Sequence, residues 1–508
     1  MQNLIELLKE TAQKYPKNKA VIYKNKAIRY RQLVSEVVRL GLRLSRLNIR
    51  RGDRVGILLG NCSDFVISYF AILNREATVV PLNHFLKPEE LKRILEDCNL
   101  RFLITNSKFS KTVEFLRREA SSLEDVLFVD ADITQILSFL KMPLKNFGFA
   151  GLKSIAKRPD VAVILYTSGT TGQPKGAMLT HGNLLFDVFA CAEAIEVKQS
   201  DNFICMLPLF HSFPSTVCML LPLAKGGTMT ILEGVRPFSK VIEAILRHRV
   251  TAFVSVPAVY NVLVHMRILK ILTLPFISPL RLCISGAAAL PADTLNKFQE
   301  KFRVPLLEGY GLTETSPVVS LNSLRGVRVS GSIGKPLEGV EVKIIDEQGR
   351  PVSIGEVGEL VVKGGNVMKG YFNRQEETEE ALRDGWLHTG DLAKIDDKGF
   401  IYIVDRKKDM INVRGLKVYP REVEEIFFRH PAVKEVAVVG LKDEHHGEIP
   451  KAFLVLKERR KVTEQEFLRY LRKNIASYKV PRSIEFRDSL PKTSSGKVSK
   501  RELIEEFT

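Results

Sequence analysis

Short apolar runs alternate with helical patterns early in the chain: DRVGILLGN (53–61), DFVISYFAILN (64–74), TVVPLN (78–83), a helical stretch to Cys98, then FLIT (102–105). Alternation of this kind is expected of parallel sheets whose crossovers are helices. The same texture returns in TAFVSV (251–256) and RLCISG (281–286), each running into a turn and a helix. From about Ser330 it changes to short strands broken by Gly and Asp, as in EVKIIDEQG and GELVVKGG, which predicts a small β-rich subdomain. FIYIVDRKKDMINVRG (400–415) is a strand running abruptly into charge, and the domain boundary is placed there, giving 1–407 and 408–508. The tail reads as its own small α/β unit, with a helix in REVEEIFFRH and strands in EVAVVG and KAFLVLK. Two more helices are opened by Thr463 with Glu466 and by Ser499 with Glu502, each at capping-box spacing. The expected fold class is α/β: a large N-terminal domain of α/β sheet subdomains with a β-rich appendage, and a small C-terminal α/β domain.

The 508 residues are 45% hydrophobic and 26% charged, the make-up of a globular protein with room for two or more packed domains. A net charge of +18 favours polyanionic partners such as a nucleotide, CoA or an anionic membrane surface. Lys and Arg are dispersed, without a basic tail, zinc-finger spacing or RNA-binding aromatic motif, so nucleic acid is not an expected partner. Cys62, Cys98, Cys191, Cys205, Cys218 and Cys283 sit mostly in apolar runs with no CxxC pair, and read as buried thiols in a reducing compartment. MQNLIELLKETAQKYP mixes Glu and Lys into a helical pattern, unlike a signal peptide, and no run reaches the length of a membrane span. The expected location is the cytoplasm, and the charge is compatible with peripheral contact at an anionic membrane.

The strand VAVILY (161–166) empties into TSGTTGQPKG, a loop dense in glycine, hydroxyls and one lysine. Glycines let backbone N–H groups converge, Ser and Thr add donors, and lysine adds charge, which together suit a phosphate. It is not a Walker A loop, because Gly172 is followed by Gln173-Pro174, and a plain surface turn would use the same residue types. In GYGLTET (309–315), Glu314 stands where a dinucleotide fold has its third glycine, so the segment is no Rossmann fingerprint. Tyr310 instead offers a stacking surface for a base, Thr313 a donor to phosphate, and Glu314 a hard oxygen ligand for Mg²⁺ bound with nucleotide phosphates. A tight turn with an exposed Glu is the alternative. Asp391 in GWLHTGD (385–391) could accept from both ribose hydroxyls, and Arg406 in DRKKD (405–409) could donate to the sugar or to phosphate. Lys497 ends the turn PKTSSGK (491–497), where a lysine is ordinarily a surface residue.

Together and in this order the motifs are specific. YTSGTTGQPKGAMLTHGN, LPLFHSFP, SGAAALP, LLEGYGLTE, GELVVKGGNVMKGYFN, GWLHTGD, DRKKDMINVRGLKVYPREVE and PKTSSGK each resemble a core motif of the adenylate-forming superfamily, which includes acyl-CoA synthetases, firefly-type luciferases and peptide-synthetase adenylation domains. The resemblance spans essentially the whole chain. It implies an AMP-forming acid:CoA ligase: a carboxylate attacks the α-phosphorus of ATP, pyrophosphate leaves, and the CoA thiol displaces AMP from the acyl-adenylate. Two anions must meet, so cations and oriented donors are the main requirement.

By the family pattern, Thr167, Ser168, Gly169, Thr170, Thr171, Gly172 and Lys175 close over the β- and γ-phosphates. Tyr310 packs on adenine beside Gly286, Ala287 and Ala288, with Glu308, Gly309, Gly311 and Thr313 in the same nucleotide-binding set. Glu314 carries Mg²⁺, and Asp391 with Arg406 holds the ribose. Lys497 bridges the carboxylate and the α-phosphate, making it the catalytic residue together with Thr313 and Glu314. The C-terminal domain of such enzymes is mobile and turns about a hinge, which Lys408 occupies here, and Arg414, Gly415 and Leu416 resemble the segment lining the pantetheine tunnel for CoA. His211, with Phe210, matches the acyl-pocket mouth. Amino-acid-activating relatives place Asp near there, and this chain has none. Plant aryl-CoA ligases and luciferases commonly have Lys where this chain has Asn412, whereas LLEGYGLTETSPVVS is similar to bacterial long-chain ligases. The expected substrate is a medium- to long-chain fatty acid with CoA as acceptor; an aryl or dicarboxylic acid, or acyl carrier protein as acceptor, is the alternative. One departure is Glu76 in LNREATVVP, where relatives often have glycine.

Overall fold

A computed structural model describes residues 1–130, 148–152, 157, 160–168, 174–266, 279–413, 416–443, 447–457, 462–492 and 498–507. Its strands form four sheets among the described residues, two large and two small. One large sheet has seven strands, and its parallel part is built from Arg54–Leu58, Thr78–Pro81, Phe102–Thr105, Asp125–Phe128 and Val161–Ser168. The other has nine, with Asn202–Cys205, Ala252–Ser255, Leu282–Ser285 and Leu306–Gly311 parallel in its middle. The apolar runs of the sequence are these strands, and they lack a polar alternation because both faces of a parallel sheet are covered. Ser63–Asn74 is apolar all round, as a helix between layers must be, and every residue from Phe65 to Asn74 is buried. One hydrophobic cluster joins both large sheets to that helix.

The β-rich region carries a sheet of five strands, including Val340–Ile345, Gly358–Gly364, Trp386–Ile395 and Ile401–Arg406. It is less self-contained than the sequence texture suggests. Lys335–Pro336 pairs into the nine-stranded sheet and Gly370–Tyr371 into the seven-stranded one. Pairs of two residues carry no periodicity, so their sheet is fixed by tertiary contact alone. Val340, Ile344, Leu360, Val362 and Ile401 all belong to the main core.

The tail folds around its own sheet of five strands, in which Gly447–Leu456 is central, between Val433–Asp443 and Ser483–Phe486. Alternate residues point to opposite faces. Val436, Val438, Ala452 and Leu454 pack with Phe427 and Phe467 on one face, while Ala437, Val439, Phe453 and Val455 pack with Leu503 on the other. Phe427, Phe453 and Phe467 are fully buried, each contributing roughly 2 kcal/mol of apolar burial. The capping box at Thr463 forms: its Oγ1 accepts the Glu466 N–H, and the Glu466 carboxylate accepts the Thr463 N–H at 2.7 Å. Ser499 Oγ accepts the Glu502 N–H at 3.4 Å. All six cysteines are free and buried. No helix among the described residues is long and apolar enough to cross a membrane.

Candidate active site

The strands Val161–Ser168 and Pro174–Thr180 form a hairpin in which Tyr166 faces Gly176 and Thr167 faces Lys175. A side chain at Gly176 would have its Cβ 2.7 Å from Ile164 Cγ2 and 3.1 Å from the Tyr166 ring, so this arm of the loop requires glycine for close approach. Thr167 Oγ1 donates to Lys175 O at 3.4 Å. The tip of the loop, with Gly169, Thr170, Thr171 and Gly172, lies outside the described residues. Below the hairpin, Tyr166 donates to Asp97 at 2.5 Å and Arg374 pairs with the other oxygen of Asp97 at 2.6 Å, pinning the strand to a neighbouring helix.

Lys175 Nζ lies 5.5 Å from the centre of the Tyr371 ring, and Tyr371 Oη donates to Glu314 Oε1 at 2.9 Å. Lys175 and Glu314, distant in sequence, are thereby brought together by an aromatic residue between them. Burial pushes the Tyr371 phenol up, with Glu314 adding to the shift, so it stays a donor to the carboxylate. Glu314 sits in the short turn Thr313–Thr315, whose position is fixed from behind. Met368 N donates to Glu314 O at 2.8 Å, Thr315 Oγ1 to Pro317 O at 2.7 Å, and Ser316 Oγ to Asn366 O at 2.8 Å. Asn366 Nδ2 in turn donates to Val318 O at 2.7 Å, and Val318 N to Asp187 Oδ1 at 3.2 Å. Ser212 and Thr313 hydroxyls lie 3.4 Å apart, linking this turn to the loop that carries Phe210 and His211.

A second cluster is built across three strands. Asp391 and Arg406 face each other on adjacent strands, with Arg406 Nε 3.1 Å from Asp391 Oδ1. Tyr310 Oη donates to Asp391 Oδ2 at 2.5 Å, and the Asp391 N–H is held by Thr389 Oγ1 at 3.1 Å. Asp391 is 4% exposed, so its two oxygens are oriented before any ligand arrives. Asp391 is the main cause holding the Arg406 guanidinium up, and Glu314 adds to it, so both clusters share one field. Burial, then Asp391, pushes the Tyr310 phenol well up, which keeps it protonated.

Two further segments close on these. Gly286 is buried while Ala287 and Ala288 are exposed, and a Cβ at Gly286 would lie 3.0 Å from the Phe213 ring. The turn at 286–288 therefore touches the Phe210-His211 loop directly. Phe210 is buried and its ring is 4.4 Å from that of His211 and 5.2 Å from that of His84, whose imidazole burial lowers to a pKa of about 4. Phe85, next to it, is exposed. Glu308 is turned into the core, 3% exposed, with Oε1 accepting the Leu290 N–H. Lys408 lies exposed in the turn Lys407–Asp409 and Leu416 is exposed at the start of the strand Leu416–Val418, whereas Arg414, Gly415 and Lys497 lie outside the described residues. Tyr371, Thr389, Asp97 and Phe213 join the constellation without having been singled out in the sequence. Tyr371 and Thr389 stand inside quoted motifs, GYFN and GWLHTGD, which is the signal that could have found them.

A family model described as AMP-binding enzyme matches residues 8–372, and one described as AMP-binding enzyme C-terminal domain matches 422–497. The chain belongs to the AMP-binding enzyme family. Among this family's members, the long-chain-fatty-acid–CoA ligase of Bacillus subtilis is 35% identical over 100% of this chain and 95% of its own. The feruloyl-CoA synthase of an Amycolatopsis species is 36% identical over 97% of this chain and 96% of its own. The structure of ATP-bound MatB from Rhodopseudomonas palustris superposes with a TM-score of 0.91 at 30% identity, covering 100% and 99% of the two chains. This AMP-binding enzyme is an AMP-forming acid:CoA ligase that uses ATP.

Proposed function

We propose that the enzyme activates a medium- to long-chain fatty acid as its adenylate and transfers the acyl group to CoA. The observation that carries the choice of acid is that the stretch 207–223, LPLFHSFPSTVCMLLPL, which holds the expected pocket-mouth residues Phe210 and His211, has no charged side chain. Leu209, Phe210, Val217, Cys218 and Leu220 in it are buried. A substrate amine or second carboxylate would need a charged partner there, and a hydrocarbon tail does not. The full-length likeness to long-chain-fatty-acid–CoA ligases supports the same reading.

In this reading Asp391 accepts from the ribose hydroxyls, displacing the Tyr310 hydroxyl from one oxygen, and Arg406 holds the carboxylate in place. Tyr310 and the Gly286, Ala287 and Ala288 turn flank adenine, with Glu308, Gly309 and Gly311 behind them. Thr167, Ser168 and Lys175, with the loop tip, gather the outer phosphates, and Thr313 donates to phosphate. Mg²⁺, bound with ATP, supplies charge neutralisation, and Glu314 is the hard oxygen placed to hold it. Mg²⁺ bound with a nucleotide takes most of its oxygens from phosphate and water and needs only one or two carboxylates from the protein. Lys497, on a C-terminal unit running from Lys408, neutralises the meeting carboxylate and α-phosphate. Turning about Lys408 then brings Arg414, Gly415 and Leu416 to the pantetheine arm of CoA. Fixing the reactants in this way removes on the order of 7–11 kcal/mol of barrier.

The aromatic rings of His84, Phe85, Phe210 and His211, with the feruloyl-CoA synthase likeness, favour an aryl acid as the second reading. A panel of acids scored by pyrophosphate release, with CoA or acyl carrier protein as acceptor, separates the two. Fatty acids of medium to long chain with CoA should give the highest turnover. Faster turnover of a hydroxycinnamic or dicarboxylic acid, or of carrier protein over CoA, would overturn the assignment.

A further inference from the structure

The strand Ile401–Arg406 ends before Lys408 and the helix Pro420–Arg429 begins after it, so any bond between the two spans the pivot. Arg421 makes two such bonds. Its N–H donates to Asp405 Oδ2 at 2.8 Å, and its guanidinium donates through Nη1 to Ile403 O at 2.8 Å. The first replaces a cap that the helix does not supply for itself. Tyr419, at the N-cap, makes no side-chain cap bond, and an orphan N–H of the first turn is instead met by Asp405 from the other side of Lys408.

Asp405 in turn depends on what lies beyond the pivot. It is 6% exposed, and its other oxygen accepts the Arg406 N–H at 2.8 Å. Burial pushes this acid up, against Lys500 and the N–H groups of Arg421 and Arg406, while Glu424 adds to the rise. Lys500 pairs with Glu424 at 2.8 Å, and both follow Lys408 in the chain. A turn about Lys408 would therefore carry Arg421 and Lys500 together away from a buried carboxylate, which is costly to leave without its partners. Two neighbouring ion pairs lack this property. Lys417 and Glu347 also reach across the pivot at 2.8 Å, but their side chains are 50% and 69% exposed, where a pair contributes little. Lys407 and Glu359, 2.9 Å apart, both precede Lys408 and are undisturbed by a turn there. The orientation in which Arg421 is bonded is the one that superposes over its full length on ATP-bound MatB.

We propose that Arg421 is the latch that holds the C-terminal unit in the orientation used for adenylation, and that its two bonds open before the acyl group passes to CoA; this rests on the proposed turning about Lys408. The full-length enzyme is assayed in two half-reactions with the fastest acid of the panel: ATP–pyrophosphate exchange, and thioester formation from the supplied acyl-adenylate and CoA. Arg421→Ala, which removes the bond to Ile403 O, should shift the ratio of thioester formation to exchange by about tenfold toward the thioester, the effect of one hydrogen bond from a charged donor. Arg421→Lys, which keeps a cationic donor, should hold the ratio within about threefold of wild type. In a Lys408→Pro background, where the unit is kept from turning, Arg421→Ala should shift the ratio no further. An unchanged ratio in Arg421→Ala overturns the proposal, including the case in which both half-reactions fall equally with the melting temperature, the signature of a merely structural role. Selective loss of thioester formation in Lys408→Pro beside an indifferent Arg421→Ala sinks the latch alone, whereas equal loss of both half-reactions in Lys408→Pro sinks the hinge and the latch with it.

Discussion

Replacing Gly311 with alanine is the sharpest test of how the proposed nucleotide site is held. Gly311 follows Tyr310 directly and precedes Glu314 by three residues, and a Cβ there would lie 1.8 Å from Pro317 O and 2.7 Å from Pro317 C. Since such contacts do not fall below 3.0 Å, about 1.2 Å must be found (3.0 − 1.8), and from backbone atoms that no rotamer can move. Pro317 cannot easily yield. Its carbonyl accepts from Thr315 Oγ1, and the residues on either side are tied to Asn366 and Asp187. The displacement therefore falls on the strand carrying Tyr310 and on the turn carrying Glu314. Overpacking of this kind costs roughly 1–3 kcal/mol of stability, and a misplacement of about 1 Å costs about 10²-fold in rate. The assay is acid-dependent ATP–pyrophosphate exchange beside a melting temperature, with Gly60→Ala as control because no atom lies within 4 Å of its Cβ. Gly311→Ala should lose both rate and stability while the control stays within about 0.5 kcal/mol of wild type. Wild-type exchange in Gly311→Ala would refute the reasoning.

Lys497→Ala should abolish adenylation yet still thiolate a supplied acyl-adenylate; pyrophosphate exchange at the wild-type rate in this variant would remove Lys497 from its role. Lys408→Pro fixes φ at the proposed hinge and should impair thiolation more than adenylation, so equal loss of the two half-reactions counts against the hinge. Tyr371→Phe removes the hydroxyl that holds Glu314 while keeping the ring under Lys175; the Mg²⁺ concentration for half-maximal exchange should rise by about tenfold, and an unchanged Mg²⁺ dependence would show that Glu314 is held without it. His181 is buried, accepts the Leu4 N–H on Nδ1 and has its pKa lowered by burial from 6.5 to about 4. The unfolded chain therefore takes up this proton first, so stability should be full above pH 6.5, fall as the pH drops toward 4, and level off below it, by on the order of 3 kcal/mol. His181→Asn, followed by denaturant melts across that range, should flatten the profile.

What the chain discloses in one dimension depends on whether the physical constraint is local. The core strands are legible because a sheet covered on both faces demands continuous apolar runs, and DRVGILLGN, TAFVSV and RLCISG each hold a strand within their bounds. The Thr463 capping box is legible for the same reason, since both of its hydrogen bonds close within four residues. Glu76 is a case in which a departure had a local cause that only coordinates show. Its φ is +59°, the left-handed region where glycine costs nothing, and a side chain there costs roughly 1 kcal/mol. That cost lies at a turn between the helix Ser63–Asn74 and the strand Thr78–Pro81, outside the nucleotide motifs of the sequence. By contrast, no spacing in the sequence brings Tyr371 to Glu314 or Tyr310 to Asp391, because each pair closes a loop of tens of residues between different sheets. Recognition of motifs supplies the members of such pairs but not which hydroxyl rests on which carboxylate. In the proposed reading that pairing matters: Tyr310 and Tyr371 each occupy a carboxylate oxygen that the nucleotide or its cation would claim, so the two acids are held oriented by hydroxyl donors until ATP arrives.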